Sequence, residues 1–207
     1  MELQWRHFIN LHKFLTPFVV LALIRNYEAY TSGAFLYLGM HGSYAFCWLL
    51  KDRWFADRNF AQPISFQDSL VKFLIMALAY WTSPVLICKY HHAPSNWAIT
   101  VTVSLFTFGM LYHYGSDCQK HFTLKLKRGL ITEGFFSTTR NPNYLGEILI
   151  YLGLAGLAGS LIPFALLGMV VFFVFFPNMQ RKDQSMKRHE GYEEYKARTN
   201  FLIPFIF

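Results

Sequence analysis

Charge is what this sequence has least of. Asp, Glu, Lys and Arg make up 15% of its 207 residues, against 54% hydrophobic and 19% aromatic residues, whereas soluble domains carry about a quarter charged residues. That deficit, with a positive mean hydropathy, excludes an ordinary soluble domain and places the chain in the membrane class. Cysteine is also scarce. Cys47, Cys88 and Cys118 show no CxxC spacing, which excludes a disulfide framework and leaves structural thiols. His41, His91 and His92 have no third ligand at metal spacing, so no metal site is expected. No small-residue cleavage pattern follows the first apolar run, and residues 1–13 carry Arg6, His7, His12 and Lys13, so no signal peptide is expected. The net charge is +7. Its basic residues lie between apolar runs, which assigns the excess to membrane topology rather than to nucleic acid.

A hydrocarbon core needs about 20 mostly apolar residues per helix. The candidate spans are Phe14–Ile24, extended toward the N-terminus, then Gly33–Leu50, Leu70–Cys88 and Trp97–Tyr114. Pro84 is expected to bend or end the third. The last apolar block, Tyr144–Phe176, is too long for one helix, and Gly159, Ser160 and Pro163 interrupt it. It reads as two helices joined by a tight hairpin. The expected fold is an all-α membrane protein of about six transmembrane helices, a single membrane domain over 1–207. A mixed-charge amphipathic segment, Met179–Arg198, follows as a cytosolic helix that covers a cofactor or rests on anionic lipid.

Six spans put four basic groups on one side. These are Arg6 and Lys13; Lys51, Arg53 and Arg58; Lys120, Lys125, Lys127, Arg128 and Arg140; and Arg181, Lys182, Lys187, Arg188, Lys196 and Arg198. They hold sixteen of the nineteen Lys and Arg residues. A wrong span count would scatter them, so both termini are expected on the cytoplasmic face.

Most of the chemistry-capable side chains fall in Gly115–Asn143, read as a long polar loop. Pro142 suits a helix start, and Asn141 is a candidate cap for that helix. A helix N-terminus facing a basic loop is suited to phosphate, although topology alone also demands basic residues there. Glu147 lies inside the first two turns of an apolar helix, where an ionisable group marks a functional site by default. Asp117 sits at the cytoplasmic end of the fourth span beside Tyr112, His113 and Tyr114, which form an interfacial belt or line a cleft.

Three motifs carry a resemblance. They are Ser116-Asp117-x-Gln119-Lys120, Gly134-Phe135-Phe136, and Arg140-Asn141-Pro142-Asn143-Tyr144-Leu145-Gly146-Glu147. Together with the tail Gly191-Tyr192-Glu193-Glu194-Tyr195-Lys196 and its ending Leu202–Phe207, they resemble the C-terminal signature of the steroid 5-alpha-reductase family, in its broad uncharacterised membrane branch. The match covers about residues 112–207. The resemblance implies reduction of a carbon–carbon double bond conjugated to a carbonyl, with NADPH as donor, in a steroid-like or other lipid substrate. It further implies that Asp117, Lys120, Arg128, Arg140, Asn143, Tyr144, Glu147 and Arg188 hold the cofactor. Family members take proton donors, a Glu and a Tyr, from their N-terminal spans. The matching Tyr here is Tyr80, so Tyr80 and Glu147 are the catalytic candidates; Glu28 is a poor positional match. The resemblance also favours the endoplasmic reticulum, with a bacterial inner membrane as the other setting.

Two rival functions follow. Arg140-Asn141-Pro142-Asn143-Tyr144-Leu145-Gly146 is similar to an Arg-x-Pro-x-Tyr-x-Gly element of S-adenosylmethionine-dependent membrane methyltransferases of the isoprenylcysteine or phospholipid type. Those enzymes favour His where Asn141 stands and a Glu-Glu pair where this chain has Arg181-Lys182-Asp183. The third possibility is a non-catalytic lipid-binding protein that keeps the fold.

Overall fold

In the structure, a computed structural model, residues 3–206 are described. Phe207 and the side chain of Arg58, both used in the sequence reading, lie outside the described residues. Eight α-helices account for most of the described residues: α1 Trp5–Asn26, α2 Ser32–Trp54, α3 Phe66–Lys89, α4 Asn96–Leu126, α5 Pro142–Gly156, α6 Ile162–Val170, α7 Phe176–Met186 and α8 Tyr192–Arg198. Among the described residues there is no strand, only two isolated bridges. A π-helical turn, Val171–Phe175, joins α6 to α7. Pro177 has no N–H to donate one turn back, which breaks the ladder at that turn. Among the described residues three helical stretches, Trp5–Asn26, Phe66–Lys89 and Ile162–Met186, are long and apolar enough to cross a membrane. This is an all-helical membrane protein.

Two sequence expectations about where helices end change. The third span does not end at Pro84: α3 runs on to Lys89 with Pro84 inside it. The supposed loop from Gly115 begins as helix, because α4 continues to Leu126. From Cys118 to Leu126 the sequence holds neither Gly nor Pro and is rich in Gln, Lys and Leu, good helix formers; Gly129, at φ 145°, follows the helix end.

The chain divides into two units, Met1–Ser104 with Leu152–Leu166, and Leu105–Tyr151 with Leu167–Phe207. In the first, α1 packs on α2 and α3, burying Val20, Ile24, Tyr37, Tyr44 and Ile87. Side-chain caps start two of these helices: Thr31 accepts from the Ala34 N–H at 3.3 Å, and Ser65 from the Asp68 N–H at 3.1 Å. Outward faces carry exposed Phe14, Phe18, Leu74 and Leu78, as lipid contact requires. The chain turns between α5 and α6, where Gly159 takes φ 60° and its missing Cβ leaves room for the His92 ring.

In the second unit α4 and α5 cross at Gly109 and Gly146. A Cβ on Gly109 would lie 2.7 Å from the Gly146 carbonyl oxygen. Below that crossing, the Gln119 amide donates to the Glu133 carbonyl at 2.9 Å and accepts from the Phe135 N–H at 3.0 Å. The Phe135 ring fills the space left by Gly115 and meets Tyr112 edge-on. The Met179–Arg198 segment, expected as one helix, is two. α7 ends at Met186, and Gly191 at φ 77° starts α8.

Candidate functional site

The C-terminal unit builds its polar centre around the start of α5. Residues 139–141 lead into it, and the tail beyond α8 is bonded back onto them. Thr139 and Asn200 form a parallel bridge. The Arg140 N–H donates to the Asn200 carbonyl at 2.9 Å, and Thr139 Oγ1 donates to the Leu202 carbonyl at 2.8 Å. The Tyr195 hydroxyl donates to the Phe136 carbonyl at 2.9 Å.

Asn141 does not cap α5 with its side chain. Its Nδ2 donates instead to the Phe201 carbonyl at 2.9 Å. Its Oδ1 is buried without a hydrogen-bond partner. Such an acceptor is costly to leave unmet, about 1–3 kcal/mol.

Arg140 is buried, 5% exposed, and occupied. Its Nε donates to Asp183 Oδ1 at 2.7 Å and its Nη1 to the Thr199 carbonyl at 2.7 Å. Asp183 also accepts from the Tyr192 hydroxyl at 2.7 Å. Burial, reinforced by that bond to a carboxylate, pushes the Tyr192 hydroxyl up to about 12. Burial likewise raises Tyr195 to about 12, against the pull of Arg140. The guanidinium expected to meet a phosphate is therefore the clasp that fastens α7 and α8 to the loop before α5.

Lys182 supplies the converging cation. Its Nζ donates to the Arg140 carbonyl at 2.9 Å and to Asn143 Oδ1 at 3.4 Å, and lies over the Phe136 ring. Asn143 is half-buried in the first turn of α5, and its carbonyl lies 3.2 Å from His113 Nδ1. Glu147 is four residues on, on the same helical face, half-buried. Tyr144 packs its ring against Phe175. Asp117 is buried on α4, with Lys120 half-buried one turn later.

The structure thus gathers Arg140 and Asn143 with Lys182 at one helix end. Arg128, just past α4, and Arg188, just past α7, are exposed. Tyr80 belongs to the N-terminal unit, where its ring lies 5.4 Å from Lys13 Nζ and edge-on to His12. Sequence reasoning missed Lys182, Asp183 and Tyr192 as site residues. The available signal was a lone Asp within the basic run Arg181–Arg188, since a single acid among cations often marks an ion pair.

No curated protein matches the chain. A family model described as "Protein of unknown function (DUF1295)" matches residues 50–199, which take in Arg140, Asn143, Lys182 and Asp183, and the chain belongs to that family.

Proposed function

We propose that this protein is an NADPH-dependent membrane reductase of a conjugated carbon–carbon double bond in a steroid-like or other lipid substrate. One observation carries the reading. At the N-terminus of α5, where free N–H groups and the helix dipole favour anions, Lys182 and Asn143 meet at 3.4 Å, beside the buried, unpartnered Oδ1 of Asn141. That donor and acceptor set suits a ligand bearing both phosphate and carboxamide.

NADPH, when bound, supplies hydride. The chain's residues do the rest. Lys182, Lys120, Arg128 and Arg188 balance phosphate charge. Asp117 accepts from a ribose hydroxyl. Asn143 and Asn141 hold the carboxamide, and Tyr144 and Glu147 set the position of the first turns of α5. Arg140, spent on Asp183 and Thr199, acts by holding the tail in place. Tyr80 is the proposed proton donor to the substrate carbonyl, and Glu147 the second catalytic candidate. The reading includes six spans, cytoplasmic termini and an endoplasmic reticulum or bacterial inner membrane.

Thermal titration of the detergent-solubilised chain with NADPH and with S-adenosylmethionine tests this. Ligand at a hundred times its Kd adds about 2.7 kcal/mol, so NADPH should raise the midpoint. A rise with S-adenosylmethionine alone would overturn the reductase in favour of a methyltransferase.

A further inference from the structure

Pro84 lies inside α3, and the helix runs on past it to Lys89. In an α-helix the carbonyl of residue 80 accepts from the N–H of residue 84, and a proline there has none to give. The Tyr80 carbonyl therefore loses its intrahelical donor within an apolar helix, where lipid cannot replace it. The donor comes from α2 instead. The hydroxyl of Tyr37, 1% exposed, donates to the Tyr80 carbonyl at 2.8 Å. Tyr37 Oη also lies 2.8 Å from Nδ1 of His41, which is fully buried one turn along the same helix. A phenol has a single proton. With that proton given to the carbonyl, the oxygen accepts, and His41 Nδ1 carries the hydrogen. The result is a directed chain from His41 Nδ1–H through Tyr37 O–H to the Tyr80 carbonyl, each bond polarising the next.

The next residue is tied to α1. The Trp81 indole N–H donates to Thr16 Oγ1 at 3.0 Å, and the Thr16 hydroxyl donates to the His12 carbonyl at 2.8 Å. The Tyr80–Trp81 turn of α3 is thus held by both neighbouring helices. We propose that Tyr37, set by His41, is the positioning residue for Tyr80. This inference rests on the reductase reading, in which Tyr80 gives the proton to the substrate carbonyl. A proline one turn further on loosens the backbone that carries the Tyr80 phenol. Fixing the carbonyl of Tyr80 fixes ψ at that residue, and so the direction in which its side chain leaves the helix. Tyr37 is not itself the proton donor, because its own proton is committed to the backbone. Tyr80, half-buried where Tyr37 is buried, keeps that role.

The test is a cycle of four full-length proteins in maltoside micelles: wild type, Tyr37→Phe, Pro84→Ala and the double variant. Each carries 13Cζ-labelled tyrosine, and the Tyr80 resonance is assigned by its loss in Tyr80→Phe. Tyr37→Phe keeps the ring and deletes the donor. Pro84→Ala restores the N–H that the Tyr80 carbonyl lacks. Tyr37→Phe alone should shift or broaden the Tyr80 resonance and lower the thermal midpoint by about 3 °C or more, the effect of stranding one buried acceptor in a chain of this length. In the Pro84→Ala background the same change should cost roughly half of that or less, and the Tyr80 resonance should stay where Pro84→Ala alone puts it. If Tyr37→Phe does not accumulate as folded protein, recovery of folded protein in the double variant gives the same result. Equal losses in both backgrounds, a Tyr80 resonance unmoved by Tyr37→Phe, or no recovery in the double variant would each overturn the proposal. These measurements contain no NADPH, so their failure is distinct from a failed NADPH titration, which would count against the reductase itself.

Discussion

Arg140 and Asp183, at the start of α5 and near the end of α7, form an ion pair with Nε 2.7 Å from Oδ1 and side chains only 7% and 15% exposed. Removing one member of so buried a pair strands the other charge, at a cost of about 3–5 kcal/mol. Asp183→Asn and Arg140→Ala should therefore each destabilise the C-terminal unit by about 3 kcal/mol. The double variant should lose less than the sum. Thermal or denaturant midpoints of the four proteins measure this. Additive losses would mean that the pair does not act as a unit.

The same clasp has an alkaline limit. Tyr192 and Tyr195 both have hydroxyls pushed up to about 12 from the usual 10.0. A group whose folded value is raised contributes stability that is complete below its unfolded value and is lost as pH climbs through the folded one. Stability should thus hold to pH 10 and fall between pH 10 and 12 as tyrosinate forms. A Tyr192→Phe variant should start less stable, having lost its bond to Asp183, and should show a shallower decline across that window. Midpoints recorded from pH 8 to 12, with tyrosinate absorbance alongside, would reveal a parallel decline if Tyr192 were not involved.

The crossing of α4 and α5 depends on two absent side chains. A Cβ on Gly109 would lie 2.7 Å from the Gly146 carbonyl oxygen and from the Ile150 nitrogen. One on Gly146 would meet Gly109 and the His113 backbone. The obstruction is backbone, so neither helix can yield by rotating a side chain. Gly109→Ala and Gly146→Ala should each cost about 1–3 kcal/mol. A Cβ at Gly39 or Gly168 meets nothing within 4 Å. Alanine there should be neutral or stabilise by up to about 1 kcal/mol through helix propensity. The paired comparison separates overpacking from any general effect of losing glycine.

The parts of this fold that local chemistry dictates could be read directly. Long apolar runs marked the helices, and Gly159, Ser160 and Pro163 marked the turn between α5 and α6. Helix ends were read less well. Pro84 did not stop α3, since tertiary packing around buried Ser83, Pro84 and Ile87 outweighs one lost backbone bond. Charge after Tyr114 suggested a loop, although Gln, Lys and Leu also favour helix. At the site, Asn143 and Glu147 were singled out because they stand on one short motif. Lys182 and Asp183 were not, because their partners lie about forty residues earlier in the chain and no local period links them. Arg140 was found, but its ion pair with Asp183 was not legible. A motif gives the residue type, whereas the carbonyls of Lys196 and Thr199 that surround its guanidinium come from the distant tail.

That reassignment makes a prediction about affinity which separates two cations. If Lys182 meets phosphate, Lys182→Ala should weaken NADPH binding by roughly 1.5–3 kcal/mol, the worth of a charge-assisted hydrogen bond, or about tenfold to a hundredfold. Exposed Arg188 is screened by solvent and salt, so Arg188→Ala should cost less than tenfold, and that loss should shrink as ionic strength rises. Arg140→Lys keeps the charge but cannot reproduce the fork that reaches Asp183 and Thr199 together. It should lower stability more than it lowers affinity in whatever folded protein remains. Fluorescence titration with NADPH at two salt concentrations, beside thermal midpoints, reads all three. A Lys182→Ala protein that binds as tightly as wild type would remove Lys182 from the proposed cofactor site and, with it, the main support for placing phosphate at the start of α5.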